Sequence, residues 1–323
     1  MTGPALAGLL AVAVSAGPWG VAVGHHPEAA ALRGWPSPEP LAPVAALGAE
    51  AVLLTAALVQ TDVRSHDLSW KRPLDELNAR AERATALGLS VSLLPLIELE
   101  KGSPTDWRGV LDPDHPAAWW TQYRSRIEAL ASRAEALGAE GLVVGSELTS
   151  LQGAEHAQEW RRVIAAARAR FSGDLLYAAN HDALDDVAPF DFVDVLGVSA
   201  YFPWSDHTAP TRAELEAAWS RAHARLGAVA ARHDEPLVLL EVGLPSVDGA
   251  TMKPWDYTSG APLDLAEQAL AYAVITDGLA RSDVICGAFF WQWFGPGGRF
   301  DRSHSPRGKP AEAVLRRFFL NVR

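Results

Sequence analysis

Two short stretches end in carboxylates that folding alone does not ask for. In GLVVGSELTS (141–150) Glu147 closes an apolar run, and in PLVLLEVGLPS (236–246) Glu241 does the same. A glutamate at the end of a core strand loses part of its hydration, and that cost implies a compensating role. Two carboxyl groups facing each other over a cleft suit the breaking of a glycosidic bond. One, protonated, gives its proton to the leaving oxygen; the other attacks the anomeric carbon or activates water. Either glutamate alone reads better as a loop cap or the partner of a nearby arginine. The pair, if two strand ends bring it together, reads as catalytic.

The elements that must do so alternate along the whole chain. Strand-like runs occupy 19–24, 51–59, 89–98, 141–145, 175–180, 193–201, 236–241 and 285–293. Each is followed by a helical segment or turn, such as the amphipathic 115–138 closed by Gly138. Most runs are continuously apolar, as in strands buried on both faces, and the alternation with helices implies parallel pairing. Eight such units close most simply as a single-domain (β/α)8 TIM barrel over residues 19–323. The competing open doubly wound sheet would carry a glycine-rich phosphate turn after its first strand, and GVAVGHHPEA lacks that spacing. In a barrel, strands four and seven lie opposite each other, and chemistry gathers at the C-terminal strand ends. That ring holds Glu98, Glu147, Asn180, His181, Tyr201, Glu241, Trp291, Gln292 and Trp293.

Composition narrows the ligand. The chain has 323 residues, 49% of them apolar, and a net charge of −11 with no basic block, which argues against nucleic acid. Cys286 is its one cysteine, so a disulfide framework and a cysteine zinc site are excluded. Metal hydrolases on barrels gather histidines from several strands. Here His25 and His26 are adjacent and strand six offers none, so neither a metal nor any other cofactor is expected. The twelve tryptophans suit a sugar, whose C–H faces stack on aromatic rings. Trp119, Trp120, Trp160 and Trp219 fit helix packing, whereas Trp107, Trp204 and Trp255 fall in loops. Alternation puts Trp291 and Trp293 on one side, with one of them as a cleft floor. Tyr201 reads either as a donor holding a carboxylate nucleophile ionised or as an aromatic plug.

Residues 1–18 form an apolar segment too short to span a bilayer, and no other stretch reads as a membrane span. The segment is signal-like but has no positive start, and reads equally as a piece packed under the barrel. A secreted or extracytoplasmic location is favoured on this reading, with a cytoplasmic one left open; the oligomeric state is not readable.

The strand-four glutamate, strand-seven glutamate and strand-eight tryptophan resemble the clan A retaining glycosidases. Within that clan, GSELTS, LLYAAN, LGVSAYFPW, LLEVGLPS, GAFFWQWF and SPRGKPAEAVLRRFF resemble glycoside hydrolase family 113, as does PLIELEKGSPTDWRG with its Trp-Arg-Gly. The resemblance implies retention through a covalent intermediate, with Glu147 as acid/base and Glu241 as nucleophile. It implies β-1,4-mannan or mannooligosaccharides as substrate, and a glycone side lined by Glu98, Trp107 and Arg108. Many clan relatives carry Asn before the acid/base; Ser146 stands there in this chain, which leaves Asn180 as a candidate for holding the sugar 2-hydroxyl. The expectation is a retaining β-glycoside hydrolase, with a non-catalytic carbohydrate-binding barrel or a retaining enzyme on another glycan as alternatives. Its carboxyls should lie about 5–5.5 Å apart, with Glu147 protonated and Glu241 ionised.

Overall fold

The computed structural model describes residues 19–23, 41–103 and 105–321. The first half runs β1 (Trp19–Val23), α1 (Leu41–Ala46), β2 (Ala51–Gln60), β3 (Ser69–Trp70), α2 (Glu76–Ala86), β4 (Ser90–Leu99), α3 (Pro116–Ala136) and β5 (Gly141–Ser146). There follow α4 (Ala157–Arg168), β6 (Asp174–Asn180), β7 (Val195–Ser199), α5 (Arg212–His233), β8 (Leu237–Val242), α6 (Leu265–Leu279), β9 (Ile285–Phe290) and α7 (Pro310–Asn321). All but β3 pair in parallel, and β1 joins β2 on one side and β9 on the other, which closes the (β/α)8 barrel. The expected single-domain fold is therefore the observed one. Residues 1–18, His25 and His26 lie outside the described residues.

Local chemistry sets the helix ends. Gly88 and Gly138 take φ of +75° and +62° just past α2 and α3, a conformation that a side chain would penalise. Thr211 and Glu214 form a reciprocal capping box at the start of α5, and Asp264 accepts from the Ala266 and Glu267 N–H groups at the start of α6. β3, a short antiparallel strand on β2, has too little periodicity to be legible in the sequence.

Alternation along the strands divides the core in two. Leu53, Leu94, Val143, Leu176, Val238, Leu240 and Phe289 fill the barrel interior. Their neighbours Val52, Leu54, Leu142, Val144, Leu175, Leu237 and Leu239 pack outward under the helices. Trp119, Trp120, Trp160 and Trp219 belong to this outer layer, as their helical positions suggested. Trp204 belongs there too, stacked on Trp219 with ring centroids 6.0 Å apart, so its place in a loop after β7 was misleading.

Candidate active site

Both glutamates sit where the strand geometry departs from regular alternation. Glu147 follows the last residue of β5, past a register shift between Val143 and Ser146, and its N–H donates to the Ala178 carbonyl at 2.7 Å. Its φ is +54°, a left-handed conformation that costs a non-glycine residue about 1 kcal/mol or more. In β8 a second shift falls between Leu239 and Val242. It sends Val242 into the outer core and leaves Glu241 to meet Tyr201 at the barrel mouth. Bulges of this kind re-aim a side chain without ending the strand. Glu147 and Glu241 are only 5% and 2% exposed.

Two other side chains each hold one arm of this pair. The Arg108 Nη2 donates to Glu147 Oε2 at 2.5 Å. The Tyr201 hydroxyl donates to Glu241 Oε2 at 2.9 Å, and Glu241 Oε1 is buried with no hydrogen-bond partner among the described residues. Arg108 starts a single helical turn, Arg108–Val110, directly after Trp107, and its guanidinium lies 6.0 Å from the Trp107 ring centroid. The Trp107 ring folds back over Gly109 so closely that a Cβ there would lie 2.3 Å from it. That packing explains a Trp-Arg-Gly sequence in physical terms: the glycine admits the indole, and the indole braces the loop that presents the arginine.

Burial and the neighbouring Glu147 charge push Glu241 up to about 8, against the opposing pull of Arg108 and the Tyr201 hydrogen bond. Burial and the Glu147 charge thus work against the ionised Glu241 that a nucleophile needs, while Arg108 and Tyr201 work for it. Burial and the two carboxylates hold the Tyr201 phenol well above its usual range, so it remains a donor.

Of the other predicted residues, some join the pair and some do not. Asn180 and His181 close β6 beside Glu147, with Asn180 Oδ1 accepting from the His181 N–H at 3.0 Å. Trp291 and Trp293 do not share a side. β9 ends at Phe290, and past it Trp291 packs with the barrel-interior cluster while Trp293, 1% exposed, joins the outer one. The Trp291–Gln292 peptide is cis. Trp291 is therefore the better placed of the two for a cleft floor. Glu98 is engaged by Lys71 at 2.5 Å, so its carboxylate is already paired. Sequence reasoning placed His181 at a strand end and Trp255 in a loop, yet had no signal for their stacking on each other.

One carboxylate cluster among the described residues has metal-like spacing, Asp248, Asp264 and Glu267. Asp264 caps α6, and Glu267 accepts from Gly249 N, Thr251 N and Thr251 Oγ1, so the first serves the helix start and the second the loop after β8.

Comparison with known proteins agrees with this architecture. The family model described as Glycoside Hydrolase Family 113 matches residues 24–302. The β-mannanase AaManA of that family from Alicyclobacillus acidocaldarius, solved in complex with ManMIm, is 27% identical. Its TM-score is 0.80, and the match covers 94% of this chain and 97% of that one. A family 113 β-1,4-mannanase solved as a complex is 24% identical, with a TM-score of 0.79 over 94% of this chain and 98% of its own. A family 5 structure from Streptomyces cattleya in complex with Manβ1-4GlcNAc shares the fold at 17% identity. Its TM-score is 0.61, with 87% of this chain and 73% of that one covered. Among curated protein sequences none matches.

Proposed function

The chain belongs to glycoside hydrolase family 113, and on that premise we propose that it cleaves β-1,4-linked mannan or mannooligosaccharides with retention of configuration. A glycoside hydrolase takes a carbohydrate substrate; beyond that the proposal names the sugar, the linkage and the stereochemistry. The mannanase neighbours support the first two. The pairing of one buried carboxyl, held by Tyr201 through Oε2, with a second that contacts Arg108 carries the two-carboxylate chemistry, and the likeness of the family to the clan A retaining glycosidases supports the third.

In the proposed cycle Glu241 Oε1 attacks the anomeric carbon while Glu147 protonates the bridging oxygen, which departs with the leaving sugar. Glu147 then takes a proton from water, whose oxygen displaces Glu241 and releases the product. The first step leaves Glu147 ionised and Glu241 bonded to the sugar; the second returns the proton to Glu147 and frees Glu241, and neither needs a cofactor. In the free protein the raised Glu241 retains that proton and Arg108 sits on Glu147. The entering sugar must therefore draw Arg108 off Glu147 and leave the proton there. Asn180 is the donor we assign to the 2-hydroxyl, and Trp291 the ring beneath the sugar that is attacked. Trp107 and Arg108 line the glycone side.

The deciding experiment is a hydrolysis screen over mannan, glucomannan, xylan and β-glucan oligosaccharides, with the first-formed anomer read by NMR. Cleavage of mannan with β-anomer appearing first is the expected result. First appearance of the α-anomer would overturn retention, and cleavage confined to xylan or β-glucan would overturn the sugar assignment. A protein that binds these oligosaccharides and cleaves none would be the non-catalytic barrel.

A further inference from the structure

We propose that three buried aromatic side chains behind the barrel wall, Tyr123, Trp160 and Tyr177, act as one clamp that positions the acid/base Glu147. The proposal rests on the glycosidase reading above and extends it to residues of the outer layer, outside the cleft.

Glu147 needs such a device. Its φ of +54° is a conformation that the surrounding structure must impose. It follows a bulge: Val143 pairs with Leu176 and Ser146 with Ala178, so Val144 and Gly145 of β5 stand against Tyr177 alone on β6. In front, Arg108 fixes one carboxyl oxygen of Glu147. That contact must loosen when the carboxyl turns to the bridging oxygen, and the side chain is then aimed by its backbone alone.

The backbone on both sides of Glu147 is gripped from behind. Tyr123, on α3, donates its hydroxyl to the Val144 carbonyl at 2.9 Å, inside the bulge. Trp160, on α4, donates its indole N–H to the Leu151 carbonyl at 2.7 Å. Tyr177 donates to Gln152 Oε1 at 3.2 Å, and the Leu148 N–H is a further partner of its oxygen. Gln152 in turn donates through Nε2 to the Ala183 carbonyl at 2.7 Å, past the end of β6. Burial pushes both phenols up, so each stays a donor.

The rings also pack as one unit. Trp160 stands edge-on to Tyr177 and to Tyr123, with centroids 5.0 and 5.9 Å apart. Gly145 lets them reach the strand: a Cβ there would lie 2.7 Å from the Trp160 ring, 2.9 Å from the Tyr177 ring and 3.1 Å from the Tyr123 hydroxyl. Phenylalanine would fill much of the same space. The polar atoms that distinguish these rings from it all end on the segment from Val144 to Gln152, which carries Glu147.

The test separates proton delivery from folding. Mannotetraose needs a proton on its leaving oxygen; dinitrophenyl β-mannobioside, whose phenolate leaves unaided, does not. For Tyr177→Phe, kcat/KM on mannotetraose should fall about tenfold to a hundredfold, and on the dinitrophenyl substrate should stay within about threefold of wild type. Its kcat on the dinitrophenyl substrate should fall, because Glu147 activates water less well. Azide, an anion with no proton to remove, should displace Glu241 from the sugar and raise that kcat again. Tyr123→Phe, which frees the Val144 carbonyl, should show the same split. Hydrogen exchange at the Leu148 amide reads the clamp without any substrate and should speed up about tenfold or more in either variant. Equal losses on both substrates, no loss on either, or unchanged exchange would overturn the clamp. A wild-type protein that cleaves neither substrate would instead sink the mannanase reading, with exchange still deciding the clamp.

Discussion

Tyr201 donates to Glu241 Oε2 at 2.9 Å, and among the described residues no hydrogen bond reaches Glu241 Oε1. One hydrogen bond thus fixes the carboxyl's rotation and leaves its second oxygen bare in a buried site. Across the mouth Arg108 fixes Glu147 through one oxygen as well. The four side chains form a charge-balanced unit in which removal of any member alters the ionisation of the rest.

Tyr201→Phe tests this directly. The phenol favours the charged form of Glu241, so its loss makes that carboxyl harder to ionise. The active form of the pair carries one proton, and the alkaline limb of kcat/KM reports the loss of that proton. For wild type the limb should lie near the value of about 8 that Glu241 takes. In the variant it should move to higher pH, and kcat should fall by about tenfold to a thousandfold. A pH–rate profile on a mannooligosaccharide reads both effects. An unmoved limb would separate Tyr201 from the ionisation of Glu241.

Glu241→Gln should abolish turnover, by about four orders of magnitude or more, while retaining the shape that accepts from Tyr201. Its effect on stability has a defined sign. Glu241 is raised in the folded state from a usual value of 4.5 to about 8, so the native state holds a proton that the unfolded chain has released. The stability this group contributes is full below about pH 4.5 and is lost as pH rises through about 8. Glutamine does not titrate. The Tm of the variant should therefore gain on wild type progressively from pH 5 to pH 8. A calorimetric series at four or five pH values would show it, and a constant difference across the window would refute it.

Much of this architecture is readable from residue pattern, for identifiable reasons. The strand runs are continuous in apolar residues because parallel barrel strands are buried on both faces, so β2, β4, β6 and β8 were legible almost to the residue. The two glutamates stood out because each ends such a run. What aims them was not legible. The register shifts before Ser146 and Val242 depend on pairing between strands and leave no mark in composition. The same limit explains Trp291 and Trp293, whose alternation presumed a strand that in fact stops at Phe290. Arg108 reaches Glu147 across 39 residues, and only the resemblance of its Trp-Arg-Gly brought it forward.

Gly109→Ala should damage activity without touching substrate. The new methyl group would fall 2.3 Å from the Trp107 ring, which cannot be relieved without moving the indole or the turn. Either movement shifts Arg108 relative to Glu147. We expect kcat/KM to fall by about tenfold to a hundredfold and stability by about 1–3 kcal/mol, the usual range for overpacking. Near-wild-type kinetics at unchanged Tm would show that the loop adapts and that its bracing is unimportant.

Lys309 supports the site from behind. Its side chain is wholly buried, 3.0 Å from Asp301 Oδ1, and Nζ donates to Ser246 Oγ and the Ser303 carbonyl at 2.8 Å each. These bonds fasten the loop between β9 and α7 to the segment following β8, and that loop carries His304 against the Tyr201 ring. Burial lowers the Lys309 pKa, while Asp301 opposes the shift. Lys309→Met leaves Asp301 without its cation and should cost about 3–5 kcal/mol, as breaking a buried pair does. Pairing it with Asp301→Asn removes the stranded charge and should restore part of that loss. A urea-denaturation double-mutant cycle measures the coupling, and additive single effects would show that the two groups do not act as a pair.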